Sequence, residues 1–282
     1  MGRALGWGHA RFASGGPARL LVAGGAVMIG VAVVAAACAI AVTVVSASLG
    51  WPGVLLEALA LKSTLSLRGL ARSALAIAGD LRAGELTAAR VAVGRDLVSR
   101  PTERLDRGQV ASAAVESVAE NLTDAFLAPV LFFVVFGLPG AVAYRVVNTA
   151  DAMIGYRHGE LLHFGRVAAR LDDVLNLVPA RLAAVLLVLA APLAGADGRR
   201  ALATMRRDHG RTPSPNAGWT MAATAGALGA TVDKPGTYRL GAGCPPAPDD
   251  VCRSVRVMAI AAALALPPAV AIALVLHPPG AG

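Results

Sequence analysis

The sequence predicts an all-α fold: a polytopic integral membrane helical bundle with amphipathic helices and polar loops. Three observations predict it. Of 282 residues, 56% are hydrophobic, and the mean hydropathy is +0.61, whereas a soluble domain is about 45–50% apolar. The excess Ala, Val and Leu is gathered in blocks, several of them near the ~20 residues a helix needs to cross ~30 Å of hydrocarbon. The cations are Arg throughout except Lys62 and Lys234, and they fall between the blocks, where basic loops anchor and orient spans.

Along the chain, residues 1–19 are polar and glycine-rich, with Arg3, Arg11 and Arg19. Residues 20–47 are apolar and uncharged, a first span too long for the apolar core of a cleaved signal peptide. Residues 54–124 predict amphipathic helices. Leu55, Leu59, Leu65, Leu70 and Leu75 are interrupted there by Lys62, Arg68 and Arg72, and Gly79-Asp80 and Ala83-Gly84 suggest a turn. Nine Lys/Arg against five Asp/Glu over 62–107 suit a membrane surface. Gln109 to Asp124 reads as a helix with one polar face.

The next span is expected near 125–147, broken by Gly137-Leu138-Pro139-Gly140, which permits either one kinked span or a short hairpin. Polar loops are expected at 148–179 and 197–256, with spans near 180–196 and 257–276. The whole, 1–282, reads as a single membrane domain. The nine Lys/Arg of 197–256 place that segment inside. Counting back then puts 148–181 outside, unless a hairpin near Pro139 returns the chain.

The net charge is +8. The basic residues lack interleaved aromatics, so nucleic acid is not an expected partner; membrane lipid and an anionic small molecule are. No CxxC or His/Cys cluster suggests zinc. Cys244 and Cys252 could pair only in an oxidising compartment. No Walker A loop, GxSxG elbow or HExxH is present.

Polar clusters beside apolar blocks are the candidate site. In Glu116-Ser-Val-Ala-Glu120-Asn121-Leu-Thr-Asp124, the three carboxylates recur every four residues. One helix face would carry all of them, a repulsive stripe unless a cation neutralises it. Glu116, Glu120 and Asp124 are the candidate metal ligands, with Asn121 at the edge of the stripe; a solvated helix face is the alternative. Asn148, Asp151 and Gly155-Tyr156-Arg157 follow, then Arg166, Arg170, Asp172 and Asp173, then Arg181, and last Ser214-Pro215-Asn216-Ala217-Gly218-Trp219. Paired carboxylates and amide oxygens suit Mg²⁺. Arginines clamp phosphate or carboxylate. A Ser-Pro-Asn turn offers N–H groups and a hydroxyl to an anion. Read singly, Asp172-Asp173 could be a solvated face, Ser214–Gly218 a plain turn and Arg181 a snorkelling anchor.

In this order the clusters resemble the adenosylcobinamide-phosphate synthase family of cobalamin biosynthesis (cobyric acid aminopropanol-phosphate ligase). The matching pieces run from Val93-Gly94-Arg95-Asp96 through Ala114–Asp124, Ala143–Thr149, Asp151–Tyr156, Phe164-Gly165-Arg166, Ala169–Asp173 and Pro179–Leu182 to Arg207-Asp208 and Pro213–Trp219. They cover roughly residues 50–240.

The resemblance implies an ATP- and Mg²⁺-dependent ligase, multi-pass in the cytoplasmic membrane. It would join the carboxyl of adenosylcobyric acid to the amine of aminopropanol phosphate or aminopropanol. For that reaction, side-chain chemistry suggests catalytic roles for Glu116, Glu120, Asn121, Asp124, Asp172 and Asp173. Substrate binding would fall to Arg95, Asn148, Asp151, Tyr156, Arg166, Arg170, Arg181, Ser214 and Asn216. A homo-oligomer is open to such a protein. Members of the family usually carry a short apolar helix and a Gly-Asp-Pro…His-Pro-Val stretch ahead of the equivalent of Met1-Gly2-Arg3, and the 282 residues do not include it. Two other readings are a non-catalytic membrane sensor of the same fold and a small-molecule transporter.

Overall fold

The computed structural model describes residues 1–156 and 159–276. Helices α1 (Gly2–Phe12), α2 (Pro17–Leu49), α3 (Trp51–Lys62), α4 (Leu67–Ala83), α5 (Leu86–Asp96) and α6 (Arg107–Leu122) lead into a π-helical turn, Thr123–Leu127. Then come α7 (Ala128–Ile154), α8 (Leu161–Phe164), α9 (Arg166–Leu175), α10 (Leu177–Leu193), α11 (Gly198–Asp208) and α12 (Ala217–Leu228). A hairpin of β1 (Thr231–Lys234) and β2 (Tyr238–Gly241) precedes α13 (Pro248–Leu276).

The architecture is that of an α-helical membrane protein. By length and composition, three helical runs can cross a membrane: Pro17–Leu49, Arg107–Ile154 and Pro248–Leu276. A fourth exists if α9 and α10, bent by 50° at their junction, count as one broken span.

Two compact units divide the chain. The first comprises 1–65, 128–176 and the end of α13 from Pro268. Its core gathers Leu5, Leu20, Met28, Val147, Ala150, Ile154, Phe164 and Ala168 from α1, α2, α7, α8 and α9. Helix α2 crosses α8 at Gly24, where an added Cβ would fall on the Phe164 carbonyl, so only glycine permits that approach. Apolar side chains along α2 and α3 stay exposed, Trp51 at 84%, as lipid-facing surfaces require.

Within this unit α7 doubles back. Gly137 sits at φ 65°, ψ −165° inside the helical run, a region essentially reserved for glycine. The rings of Phe132 and Tyr144 stack with centroids 5.0 Å apart. Twelve residues of straight helix would separate them by about 18 Å. Of the two geometries that Gly137–Gly140 permits, the chain adopts the hairpin.

The second unit comprises 66–127 and 177–267. At its centre α6 and α12 are buried on all sides: every residue from Val110 to Ala119, and all of α12 except Trp219. Both are rich in Ala, Ser, Thr and Gly, whose small side chains let helices pack closely. A capping box starts α6: Gln109 N donates to Asp106 Oδ1 (2.8 Å), and Asp106 N donates to Gln109 Oε1 (2.9 Å).

These facts correct several expectations. Within the stretch read as one membrane domain, the chain packs as two compact units. The segments expected as polar loops, 148–179 and 197–256, instead hold the end of α7, α8, α9, α11, α12, the β-hairpin and the start of α13. Amphipathic α9 and α11 pass for loops when charge density alone is read. The polar-faced reading of Gln109–Asp124 fails as well, because α6 has no solvated face. The three cysteines are free thiols.

Candidate functional site

In the second unit Glu116 is 6% exposed, enclosed because α6 packs against α12, α4 and β1. Its charge is met by Arg100, from the segment between α5 and α6: Nη1 to Oε1 and Nη2 to Oε2 are both 3.2 Å. Tyr238 of β2 completes the enclosure. Burial first, then the charge and hydrogen bonding of Glu116, push its phenol above the ordinary tyrosine range. It therefore stays protonated and can only donate to the carboxylate. The hairpin is pinned to α6 by Ser112, whose Oγ accepts from Asp233 N at 2.7 Å and donates to Asp233 O at 3.1 Å.

The expected metal triad does not assemble. Among the described residues no group of three or more His, Cys, Asp or Glu side chains is placed to hold a metal ion. Glu116 is committed to Arg100. Asp124 falls in the π-helical turn, beyond the end of α6. Asn121 folds back along its own helix, donating from Nδ2 to Ser117 O at 2.9 Å. As placed, the three carboxylates do not fit a metal site made by protein ligands alone.

The Ser-Pro-Asn turn meets Arg181 in the same unit. Arg181 Nη1 donates to Asn216 Oδ1 (3.1 Å) and to Leu177 O (2.6 Å). Its guanidinium carbon lies 4.9 Å from the Trp219 ring centroid, and Trp219 stacks on His209 at 4.0 Å. Ser214 Oγ accepts from the N–H groups of Asn216 (3.2 Å) and Ala217 (3.4 Å), capping the start of α12. Two motifs 35 residues apart thus form one structure: a guanidinium held over an aromatic face. Tyr238 links this end to the acidic helix, since its hydroxyl lies 3.6 Å from Met221 Sδ, one turn into α12. Arg95 stands apart on the surface. It pairs with its neighbour Asp96 at 2.7 Å and holds that carboxyl below its ordinary range.

The first unit holds the other expected residues. Tyr156, Arg166, Arg170 and Asp173 line one cleft of about 260 Å³. Arg166 and Arg170, one helical turn apart, bring two guanidinium groups to it. Asp151 lies against Gly155 in the cleft wall. Asp172 turns the other way, into the helix packing, where Oδ2 accepts from Asn176 Nδ2 (2.9 Å) and Oδ1 from Asn148 Nδ2 (3.3 Å). Tyr144 donates to Asn176 Oδ1 at 2.9 Å, and Arg145 Nη1 to Asn148 Oδ1 at 2.9 Å. Asp172 and Asn148 are therefore one buried network, while Asp173 lines the cleft. Arg157 lies outside the described residues.

Sequence reasoning missed Arg100, Tyr238 and His209. Trp219 stood inside the turn motif without a role. Arg100 and Tyr238 lie in irregular or strand segments with no helical period to give them a face; their only signal is a buried acid that needs partners.

A model of the CobD/Cbib protein family matches residues 1–266. The chain is 46% identical over 190 residues to a probable cobalamin biosynthesis protein CobD of Methanothermobacter thermautotrophicus, covering 67% of this chain and 63% of the relative. It is 46% identical over 188 residues to a cobalamin biosynthesis protein CobD of Dehalococcoides mccartyi, covering 67% and 60%. With a cobalamin biosynthesis protein CobD of Klebsiella pneumoniae it shares 43% over 225 residues, covering 77% and 70%. The chain thus spans under two thirds of the first two relatives. No solved structure matches it.

Proposed function

The chain belongs to the CobD/Cbib family, and from that premise we propose that it works in cobalamin biosynthesis as a membrane-embedded acid–amine ligase. The proposed reaction joins the free carboxyl of adenosylcobyric acid to the amine of aminopropanol phosphate, or of aminopropanol, with ATP as co-substrate. A carboxylate does not condense with an amine unaided. Transfer of a phosphoryl group to the carboxylate oxygen gives an acyl phosphate. Attack by the neutral amine then forms the amide and expels phosphate, and the amine proton passes to solvent or to a base.

The observation that carries this reading is the Arg181–Asn216–Trp219 assembly. A fixed, planar guanidinium presents a bidentate surface to phosphate or carboxylate and stabilises the charge that builds during transfer. In the first unit, Arg166 and Arg170 offer a second anion-binding cleft. Mg²⁺ is proposed to arrive bound to the nucleotide, since this ion is usually shared with substrate phosphates and needs only one or two carboxylates. Glu120 and Asp124 are the acids proposed to face it.

The test is amidation in detergent or nanodiscs with adenosylcobyric acid, ATP, Mg²⁺ and each amine. The 282-residue chain is assayed beside one carrying a Gly-Asp-Pro…His-Pro-Val stretch ahead of Met1. Formation of the amide with release of ADP supports the reading. No corrinoid consumption by either chain, with normal function retained by Asn216→Ala and Glu120→Ala in cells, favours the non-catalytic sensor.

A further inference from the structure

Where α10 gives way to α11, the second unit carries an open groove of about 790 Å³. Val188, Leu189 and Pro192 of α10 form its apolar wall, and Arg199, Arg200 and Arg253 form its basic rim, with Asp197 among them. None of these residues belongs to the constellations described above. We propose that the groove holds one anionic phospholipid, its phosphate between Arg199 and Arg253 and an acyl chain along α10.

Charge and shape both favour this occupant. Asp197 is already used: Oδ1 caps α11 by accepting from Arg200 N at 2.9 Å, and Oδ2 lies 3.9 Å from Arg200 Nε. Arg200 Nε donates to Gly226 O at 2.8 Å, which fixes that side chain in place. Arg253 shares one terminal nitrogen with Asp250 at 2.9 Å. Arg199 is exposed and makes no hydrogen bond or ion pair among the described residues. Three cations against two committed acids, Asp197 and Asp250, leave the rim with a net positive charge, carried by Arg199.

Below the groove, Leu182, Val185, Leu189 and Leu193 are 43%, 48%, 56% and 64% exposed. At spacings of three and four residues they form a single apolar stripe down α10. An acyl chain would cover that stripe, which a free phosphate or nucleotide leaves bare. A basic pocket at the end of a membrane helix is a recurrent setting for acidic lipid headgroups.

The test is native mass spectrometry of the full chain, equilibrated with mixed micelles of phosphatidylglycerol and phosphatidylcholine of equal chain length. Phosphatidylglycerol should be retained preferentially. Arg199→Gln and Arg253→Gln should each weaken retention about fivefold. Arg206→Gln, at the other end of α11, should leave it unchanged. Leu189→Asn should weaken retention of the lipid without altering its headgroup preference. Where a variant fails to fold, the wild-type chain still decides: retention should fall as salt rises from about 0.05 to about 0.5 M. Equal retention of both lipids, indifference to the two arginine substitutions, or displacement by inorganic phosphate at equal efficiency in wild type and Leu189→Asn would overturn the proposal.

Discussion

Arg100 grips Glu116 with both terminal guanidinium nitrogens, each 3.2 Å from a different carboxylate oxygen. Their side chains are only 17% and 8% exposed. The acidic stripe that looks repulsive in sequence is thus neutralised at its first member by a cation from a different segment. A carboxylate so engaged is a structural anion before it is a metal ligand.

Breaking one partner of such a pair leaves the other charged and buried. Arg100→Met and Glu116→Gln are each expected to lower stability by about 3–5 kcal/mol. The double variant should lose less than the sum, because neither charge is then stranded. Urea unfolding of the detergent-solubilised protein checks this. Additive losses would mean that the pair is not coupled.

Arg181 stacks on Trp219 and bonds Asn216, and lysine can reproduce neither the plane nor the fork. Arg181→Lys should raise KM for an anionic substrate about tenfold, equivalent to ~1.4 kcal/mol, with kcat less affected. Trp219→Phe should keep part of the effect by preserving a ring face, and Trp219→Ala should lose it. Steady-state amidation kinetics on the three variants give the comparison.

The membrane helices were legible because their signal is local: a run of uncharged apolar residues is long enough or it is not. Pro17–Leu49 and the end of α13 follow from that alone. The amphipathic helix α4 is legible from its leucine spacing, Leu70 and Leu75 among them. What stayed hidden depends on contacts between distant segments. Arg181 and Asn216 were each singled out, but nothing in the sequence shows that they bond. Arg100 and Tyr238 carry no such signal, because strand and irregular segments give no three-to-four-residue period to read. The reversal at Gly137 is hidden for a related reason: Gly-Leu-Pro-Gly admits both a kink and a turn, and the choice shows only in a contact across the bend, Phe132 on Tyr144. The segments read as loops failed differently. Alanine- and arginine-rich α9 and α11 are good helix formers, but their charge density masks this when polarity is the only guide.

Asp172 and Asp173 are adjacent in sequence and face different surroundings, so their substitutions should separate. Asp172→Ala strips the acceptor from Asn148 and Asn176 and strands two buried donors, at about 1–3 kcal/mol each. Asp173→Ala alters the cleft that Asp173 shares with Arg166 and Arg170 and removes a like charge from beside Asp172, so stability should hold while ligand binding there changes. Melting temperatures of the two variants, measured side by side, decide it. Equal destabilisation would contradict the buried network.

Asp208 at the end of α11 is fully buried and ties three segments together. Arg207 holds its carboxyl below the ordinary range, chiefly through a hydrogen bond (Nη2–Oδ2, 2.7 Å); Gly241 N–H, at 2.9 Å from Oδ2, and the Arg211 charge act in the same direction. The folded-state pKa therefore lies below the unfolded value of about 3.9. A depressed acid contributes stability that is fully present above the unfolded pKa and is lost as pH falls through the folded one. Between pH 7 and about 5 the melting temperature should be insensitive to this group, and below about 4 it should fall as Asp208 protonates and releases β2 from α11. Asp208→Asn keeps one oxygen to accept from Gly241 but cannot carry the charge. It should melt lower than wild type at pH 7 and show a shallower decline below about pH 4. Melting curves from pH 3 to 7 measure both slopes; parallel acid declines in the two proteins would remove Asp208 as the source.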